Sequence, residues 1–263
     1  IMIVEFIGTP GAGKTTFMPV VSEHFKNQHF QPYSVLEAAR PFAERTLPGK
    51  MVGVLSSGKL QRFLLWQVFY AFSYTYRPKF AEQNQNLIKT VLDYQYKRPI
   101  AKSDRSHVLR WFLHLSGSYE FLKAYARPGD MLLLDEGFVH RVVQLFASEN
   151  ETPDLDRVAN YLDLIPRPDL IIYPNASSEV CEKRVFERGV WERFQAKGRA
   201  ETSRFIKNAY KIVKYAVKYI KIQGWAVIEV DNNKENLAVS KSMLKRDLSD
   251  MVVLVPETAD LKR

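Results

Sequence analysis

The chain has 263 residues, 46% of them apolar, with a formal charge of +9; this suits a folded α/β protein with a sizeable core and excludes a disordered chain. Its one cysteine, Cys181, excludes an intramolecular disulfide framework and fits a cytoplasmic setting, no stretch reads as a signal peptide, and the apolar run 63–72, interrupted by Gln67, is too short to span a bilayer. The positive charge favours acidic partners, such as nucleotides or phosphorylated small molecules, without choosing among them.

An apolar run over residues 2–7 opens the chain and leads into Gly8-Thr9-Pro10-Gly11-Ala12-Gly13-Lys14-Thr15-Thr16. This fits G-x-x-x-x-G-K-[ST] at every position, with a strand before it and a helix-capable segment after it. The glycines let several backbone amides converge on a phosphate, and the following helix adds its positive end. Lys14 is placed to reach the β- and γ-phosphates of a nucleoside triphosphate, and the Thr15 hydroxyl to sit on Mg²⁺. ATP and Mg²⁺ are the ligands this loop implies.

Further strands are expected at 33–37, 131–135, 170–173 and 226–230. Short, continuous and aliphatic, they suit a parallel sheet covered on both faces, with the ligand site beyond the carboxyl ends of its strands. Glu37 closes the second strand and is expected beside the phosphate loop, within reach of an acceptor hydroxyl. Residues 59–126 read as a helical insert broken at Pro78 and Pro99 and rich in aromatics, most of them core and a few suited to an acceptor pocket. Ser56-Ser57-Gly58-Lys59 lacks the glycines of a second phosphate loop and reads as a serine helix cap. The strand at 131–135 ends on Asp135-Glu136. Adjacent carboxylates at a buried strand end require a nearby cation, which assigns Asp135 to Mg²⁺. Glu136 either orients a water for ATP hydrolysis or pairs with Arg141 or His140.

Pro168-Asp169-Leu170-Ile171-Ile172-Tyr173, followed by Ser178-Glu179-Val180, Arg184 and Arg188-Gly189, resembles the fourth strand and start of the lid in the thymidylate kinase and deoxynucleoside kinase group. The phosphate loop, Asp135 and the final strand fall in the matching order; the helical insert is outside the resemblance. It implies a P-loop NTPase three-layer α/β sandwich, a five-stranded parallel sheet of order 2-3-1-4-5, in one kinase-like domain over residues 1–263 with a lid at about 188–203. It also implies ATP- and Mg²⁺-dependent transfer of the γ-phosphoryl group to a small-molecule acceptor, nucleosides and nucleotides foremost. Lys14, Glu37, Asp135 and Arg188 are then the catalytic residues, with Glu37 as base. Arg184 and Arg188, four apart and on one helical face, would close on the phosphates, with Arg193 and Arg199 further along the lid. The group carries Asp-Arg or Glu-Arg after its third strand, where this chain has Asp135-Glu136. That acid pair supports the alternative of an ATP-hydrolysing switch.

Lysines at 207, 211, 214, 218 and 221 share one helical face beside Ile206, Tyr210, Val213, Val217 and Ile220. A surface helix with its apolar side on the sheet is expected, and a docking strip for nucleic acid is the alternative. Asn232 and Asn233 follow the last strand, where related folds contact the donor base. Residues 251–255 read as an extra edge strand or a partner contact, and a homodimer is left open.

Overall fold

The structure is a computed structural model that describes residues 1–55, 57–100, 102–195, 197–233 and 237–251. Strand β1 (Met2–Phe6) leads through the glycine loop into α1 (Lys14–Asn27). After β2 (Gln31–Tyr33) come the helices α2 (Val35–Glu44), α3 (Leu47–Leu55), α4 (Gly58–Thr75), α5 (Arg77–Gln83), α6 (Gln85–Lys97) and α7 (Lys102–Tyr125). Strand β3 (Asp130–Leu134) precedes α8 (Arg141–Phe146) and α9 (Leu155–Leu164). Strand β4 (Leu170–Asn175) precedes α10 (Ser178–Arg188), α11 (Glu192–Gln195) and α12 (Arg199–Ile222), and β5 (Val227–Asp231) precedes α13 (Leu237–Met251). The five strands are parallel in the order β2-β3-β1-β4-β5.

The two-residue period of the strands divides their side chains between two cores. Val4, Phe6, Leu133, Ile172 and Val230 pack with Phe17 and Val21 of α1 and with Leu244 and Leu248 of α13. Ile3, Ile7, Leu132, Leu134 and Ile171 join the larger core built with α2, α4, α7, α8 and α12. Full burial of side chains such as Phe6 and Phe17 stabilises the layers by roughly 1.5–3 kcal/mol each. The carboxyl ends of β1 and β3 therefore open at one edge of a rigid sheet, where the glycine loop and the acid pair lie.

The helical insert breaks where its prolines predict. Pro78 sits in the first turn of α5, and α6 ends one residue before Arg98-Pro99. Its aromatics are core only in part: Phe121 contacts the rings of Phe69, Phe72, Tyr76 and Tyr125, whereas Phe63, Tyr70, Tyr74, Tyr96 and Trp111 are exposed. Gly117 of α7 permits a close crossing with α4, since a Cβ there would lie 1.9 Å from the Ser73 carbonyl oxygen.

Several expectations are corrected. Strand β2 ends at Tyr33, not at Glu37. Ser34 instead caps α2: the Glu37 N–H donates to Ser34 Oγ (3.3 Å), and the Ser34 N–H donates to the Glu37 carboxylate (2.9 Å). This reciprocal Ser-x-x-Glu box ends the strand and starts the helix despite the apolar Val35 and Leu36. Ser57 occupies the N-cap of α4 but makes no side-chain cap bond; Ser56 lies outside the described residues. The lysine-striped helix starts earlier, at Arg199, and packs on α8, α9 and α10. Its five lysines are exposed, while Ile206, Val213, Val217 and Ile220 are buried. Past Met251 the run at 251–255 lies outside the described residues. Among the described residues no helix is long and apolar enough to cross a membrane.

Candidate active site

Strand β1 stays paired with β4 to its end, where the Ile7 N–H donates to the Ile172 carbonyl at 3.0 Å. The chain then turns through Gly11 (φ 88°) and Gly13 (φ 94°), conformations that L side chains rarely adopt. Space demands glycine as well: a Cβ on Gly11 would sit 2.4 Å from the Cys181 carbonyl oxygen, and one on Gly13 2.4 Å from Asn232 Nδ2. The loop is thus clamped between α10 and the turn after β5. Asn232, 4% exposed, donates from Nδ2 to the Ala12 carbonyl at 2.8 Å. Its side chain serves the loop backbone. Cys181 is fully buried in the same clamp, and burial pushes its thiol up to about 11, so it is a packing residue.

A cleft of about 280 Å³ opens in front of this loop. Pro10, Gly11, Lys14 and Thr15 form its floor, and Asp135 and Glu136 enter from the end of β3. His140, Val143 and Gln144 come from α8 and its N-cap; His107 and Val108 come from α7. Arg188 at the end of α10, Trp191, and Phe194 of α11 also line it, backed by Phe205 of α12. Phe194 is 2% exposed and packs against Phe205 with ring centroids 4.8 Å apart. An ion pair from Lys197 to Glu149 ties the segment after α11 to the segment after α8.

Lys14 begins α1 and donates to the Gly8 carbonyl over a long 3.4 Å. Burial lowers its pKa, and the neighbouring Glu136 and Asp135 carboxylates pull in the opposite direction. The Glu136 carboxylate accepts from Gln144 Nε2 at 3.0 Å and pairs with Arg141 at 3.5 Å. The Arg141 pairing that the sequence offered for Glu136 is thus present, and the same exposed side chain lines the cleft. Arg188, exposed at the end of α10, lies over the Trp191 ring at 5.8 Å. Arg184, one turn earlier, donates from Nη2 to the Asn232 carbonyl at 3.0 Å, while its Nη1 is buried without a hydrogen-bond partner. Arg199 turns away onto the Phe186 ring at 4.6 Å, and the Arg193 side chain lies outside the description. Glu37 is exposed in its capping box and does not line the cleft.

Glu5 escaped the sequence reading. It lies on the same face of the strand as Ile3 and, just beyond β1, Ile7, so its carboxylate enters the larger core at 1% exposure. There it accepts the N–H groups of Phe138 (3.1 Å) and Val139 (2.8 Å). Gly137 lies so close that a Cβ would come within 2.2 Å of the carboxyl carbon. Glu5 therefore anchors the turn that follows Asp135-Glu136, and the Tyr161 hydroxyl donates to the Phe138 carbonyl (2.9 Å) of that turn. The detectable signal was an acid inside an otherwise apolar buried strand.

Burial raises the Glu5 carboxyl to about 7, outweighing the two N–H bonds and Arg141, which lower it. The folded protein therefore holds this proton to a higher pH than the unfolded chain, whose carboxyl ionises near 4.5. The associated stability is fully present below about 4.5 and lost as pH rises through about 7, amounting to about 3 kcal/mol. Urea unfolding across this window is expected to show that loss in the wild type and a flatter profile in Glu5→Gln. Parallel profiles would contradict the assignment.

A glycine loop after β1, an acid pair after β3 and the sheet order β2-β3-β1-β4-β5 define a P-loop NTPase fold, a three-layer α/β sandwich. No protein-family model and no curated protein matches the sequence. Solved structures similar to this chain include deoxyadenosine kinase from M. mycoides with bound dCTP, at 12% identity and a TM-score of 0.43, covering 95% of this chain and 100% of that one. The same enzyme with bound dATP aligns at 14% identity and a TM-score of 0.42, covering 94% and 100%.

The site's own chemistry fits a magnesium nucleotide. The first amides of a helix have no partner within it, and the half-buried Lys14 ammonium makes a long bond to a carbonyl, near the Asp135 and Glu136 carboxylates, which leaves it suited to an anion. Among the described residues there is no cluster of three or more metal-ligating side chains. Thr15 and Asp135 would accordingly hold Mg²⁺ together with phosphate oxygens and water, the usual arrangement for this hard cation.

Proposed function

We propose that this protein is a P-loop kinase that transfers the γ-phosphoryl group of ATP to a small-molecule acceptor, nucleosides and nucleotides foremost. The observation that carries this reading is one cleft lined by Lys14, Thr15, Asp135 and Arg188 that continues into an aromatic and aliphatic pocket. The glycine loop and Lys14 bind the phosphate tail, and Arg184 adds a buried unpartnered nitrogen next to the loop. Thr15 and Asp135 hold Mg²⁺, which when bound neutralises charge on the phosphates. Arg188 closes on the transferring group from the lid. The Trp191, Phe194 and Phe205 cluster excludes water, which favours transfer over hydrolysis.

The second reading is an ATP-hydrolysing switch that uses Glu136. Against it stands the engagement of the Glu136 carboxylate by Gln144 and Arg141. Labelled γ-phosphate followed with and without a panel of acceptors separates the two. The kinase reading expects label in an organic acceptor and retained transfer in Glu136→Gln. Label appearing only as inorganic phosphate, and abolished by Glu136→Gln, would establish the switch instead.

A further inference from the structure

The helix α3 lies on α2 and α4, with Gly49 against the Ala43 backbone and Val52 against the larger core. Its outer face is apolar. Leu47, Met51 and Val54 recur at four- and three-residue spacing and form one stripe. Leu60 and Phe63 start a second stripe on α4. Each of these side chains is more than half exposed, Val54 most of all at 85%. Gln61 Nε2 donates to the Gly53 carbonyl at 3.3 Å, which joins the last turn of α3 to the first turn of α4 in one tip. Exposed Tyr70 and Tyr74 continue the α4 stripe, with the amphipathic rings that membrane–water interfaces favour. Water-soluble surfaces rarely gather large apolar side chains in this way unless something covers them.

The charge of the same segment says what covers it. Residues 45–81 contain no aspartate or glutamate, although the chain has 29 such residues. They do contain Arg45, Lys50, Lys59, Arg62, Arg77 and Lys79. Arg45 pairs with Asp130, Lys79 with Glu120, and Arg77 lies over the Tyr74 ring. Lys50, Lys59 and Arg62 are exposed and form no ion pair among the described residues. Each immediately precedes an apolar stripe residue, so it borders the stripe of its helix. A second copy of the chain would bring these cations towards their own counterparts, since a two-fold interface sets one patch against itself. Apolar side chains bordered by unpaired cations instead match a lipid leaflet with negative headgroups.

We propose that the α3–α4 hairpin docks on an anionic membrane surface. Leu47, Met51, Val54, Leu60 and Phe63 enter the boundary between headgroups and acyl chains. Lys50, Lys59 and Arg62 stay at headgroup level, where long cationic side chains keep their charge in water. None of these residues lines the cleft described above, so docking leaves the nucleotide site in place.

Cosedimentation of the full chain with phosphatidylcholine vesicles, with and without phosphatidylserine, tests this. Wild type is expected to bind the phosphatidylserine vesicles far more tightly, and less so as salt is raised. Lys50→Gln/Lys59→Gln/Arg62→Gln should weaken that binding about 10²-fold. Val54→Ser/Phe63→Ser should weaken it about 10-fold or more. Both variants should keep the wild-type melting temperature, because the altered side chains are exposed. Lys211→Gln/Lys214→Gln/Lys218→Gln, on the lysine face of α12, should bind vesicles as wild type does. No binding by wild type, or undiminished binding by both hairpin variants, would overturn the proposal. So would an equal loss in the α12 variant, which would assign the attraction to general positive charge. A wild-type dimer that fails to bind vesicles and is dissociated by Val54→Ser/Phe63→Ser would give the face to a second copy instead.

Discussion

Lys14→Ala is expected to lower γ-phosphoryl transfer by about 10³-fold or more and to leave a folded protein. The side chain is held by a single 3.4 Å bond to the Gly8 carbonyl, so its removal breaks little internal structure. Alanine is the best helix former, so α1 still begins at this position. Removing a half-buried ammonium also relieves the desolvation that lowers its pKa. What disappears is the cation on the cleft floor, opposite Asp135 and Glu136. Asp135→Ala is expected to abolish transfer through its Mg²⁺ role, again without unfolding. Thermal melting together with labelled transfer checks both, and unimpaired transfer in both would refute the roles given to them.

Arg188→Ala is expected to cost about 10³- to 10⁵-fold in kcat, or roughly 4–7 kcal/mol of transition-state stabilisation, if it acts as an arginine finger. Its structural ties among the described residues are weak: it is exposed at the end of α10 and lies over the face of Trp191 at 5.8 Å. The next residue, Gly189, leaves the helix at φ 93°, so the arginine stands at a bend from which it reaches the cleft. Stability is therefore expected to change by no more than about 0.5 kcal/mol. Arg188→Lys should restore little, because an ammonium lacks the planar fork that grips several phosphoryl oxygens. Arg184→Ala should behave differently, since its guanidinium holds the Asn232 carbonyl beneath the loop. Single-turnover rates measured with Mg-ATP affinity separate these effects, and an unchanged kcat in Arg188→Ala would remove it from the chemistry.

The parts of the site carried by continuous sequence were legible. The glycine loop, Lys14, Thr15 and the Asp135-Glu136 strand end all follow from local patterns whose geometry is fixed by backbone demands, such as the positive φ at Gly11 and Gly13. The aliphatic runs showed a parallel sheet, while its order came from the resemblance to the nucleoside and nucleotide kinase group. Glu37 misled because a local capping box overrode an apolar strand-like run, and Ser34-x-x-Glu37 was readable as that box. Glu5, His140 and Asn232 were not legible. Each meets its partners across the fold: Glu5 residues more than a hundred positions away, Asn232 the Ala12 carbonyl, His140 a cleft lined from α7, α8, the segment after α10 and the glycine loop. Only the tertiary structure brings such partners together.

Titration calorimetry with ATP in magnesium buffer tests the central claim most directly. The account predicts saturable heat from wild type, displaced by slowly cleaved ATP analogues and weakened in Lys14→Ala. No heat and no competition with either ATP or GTP would contradict it.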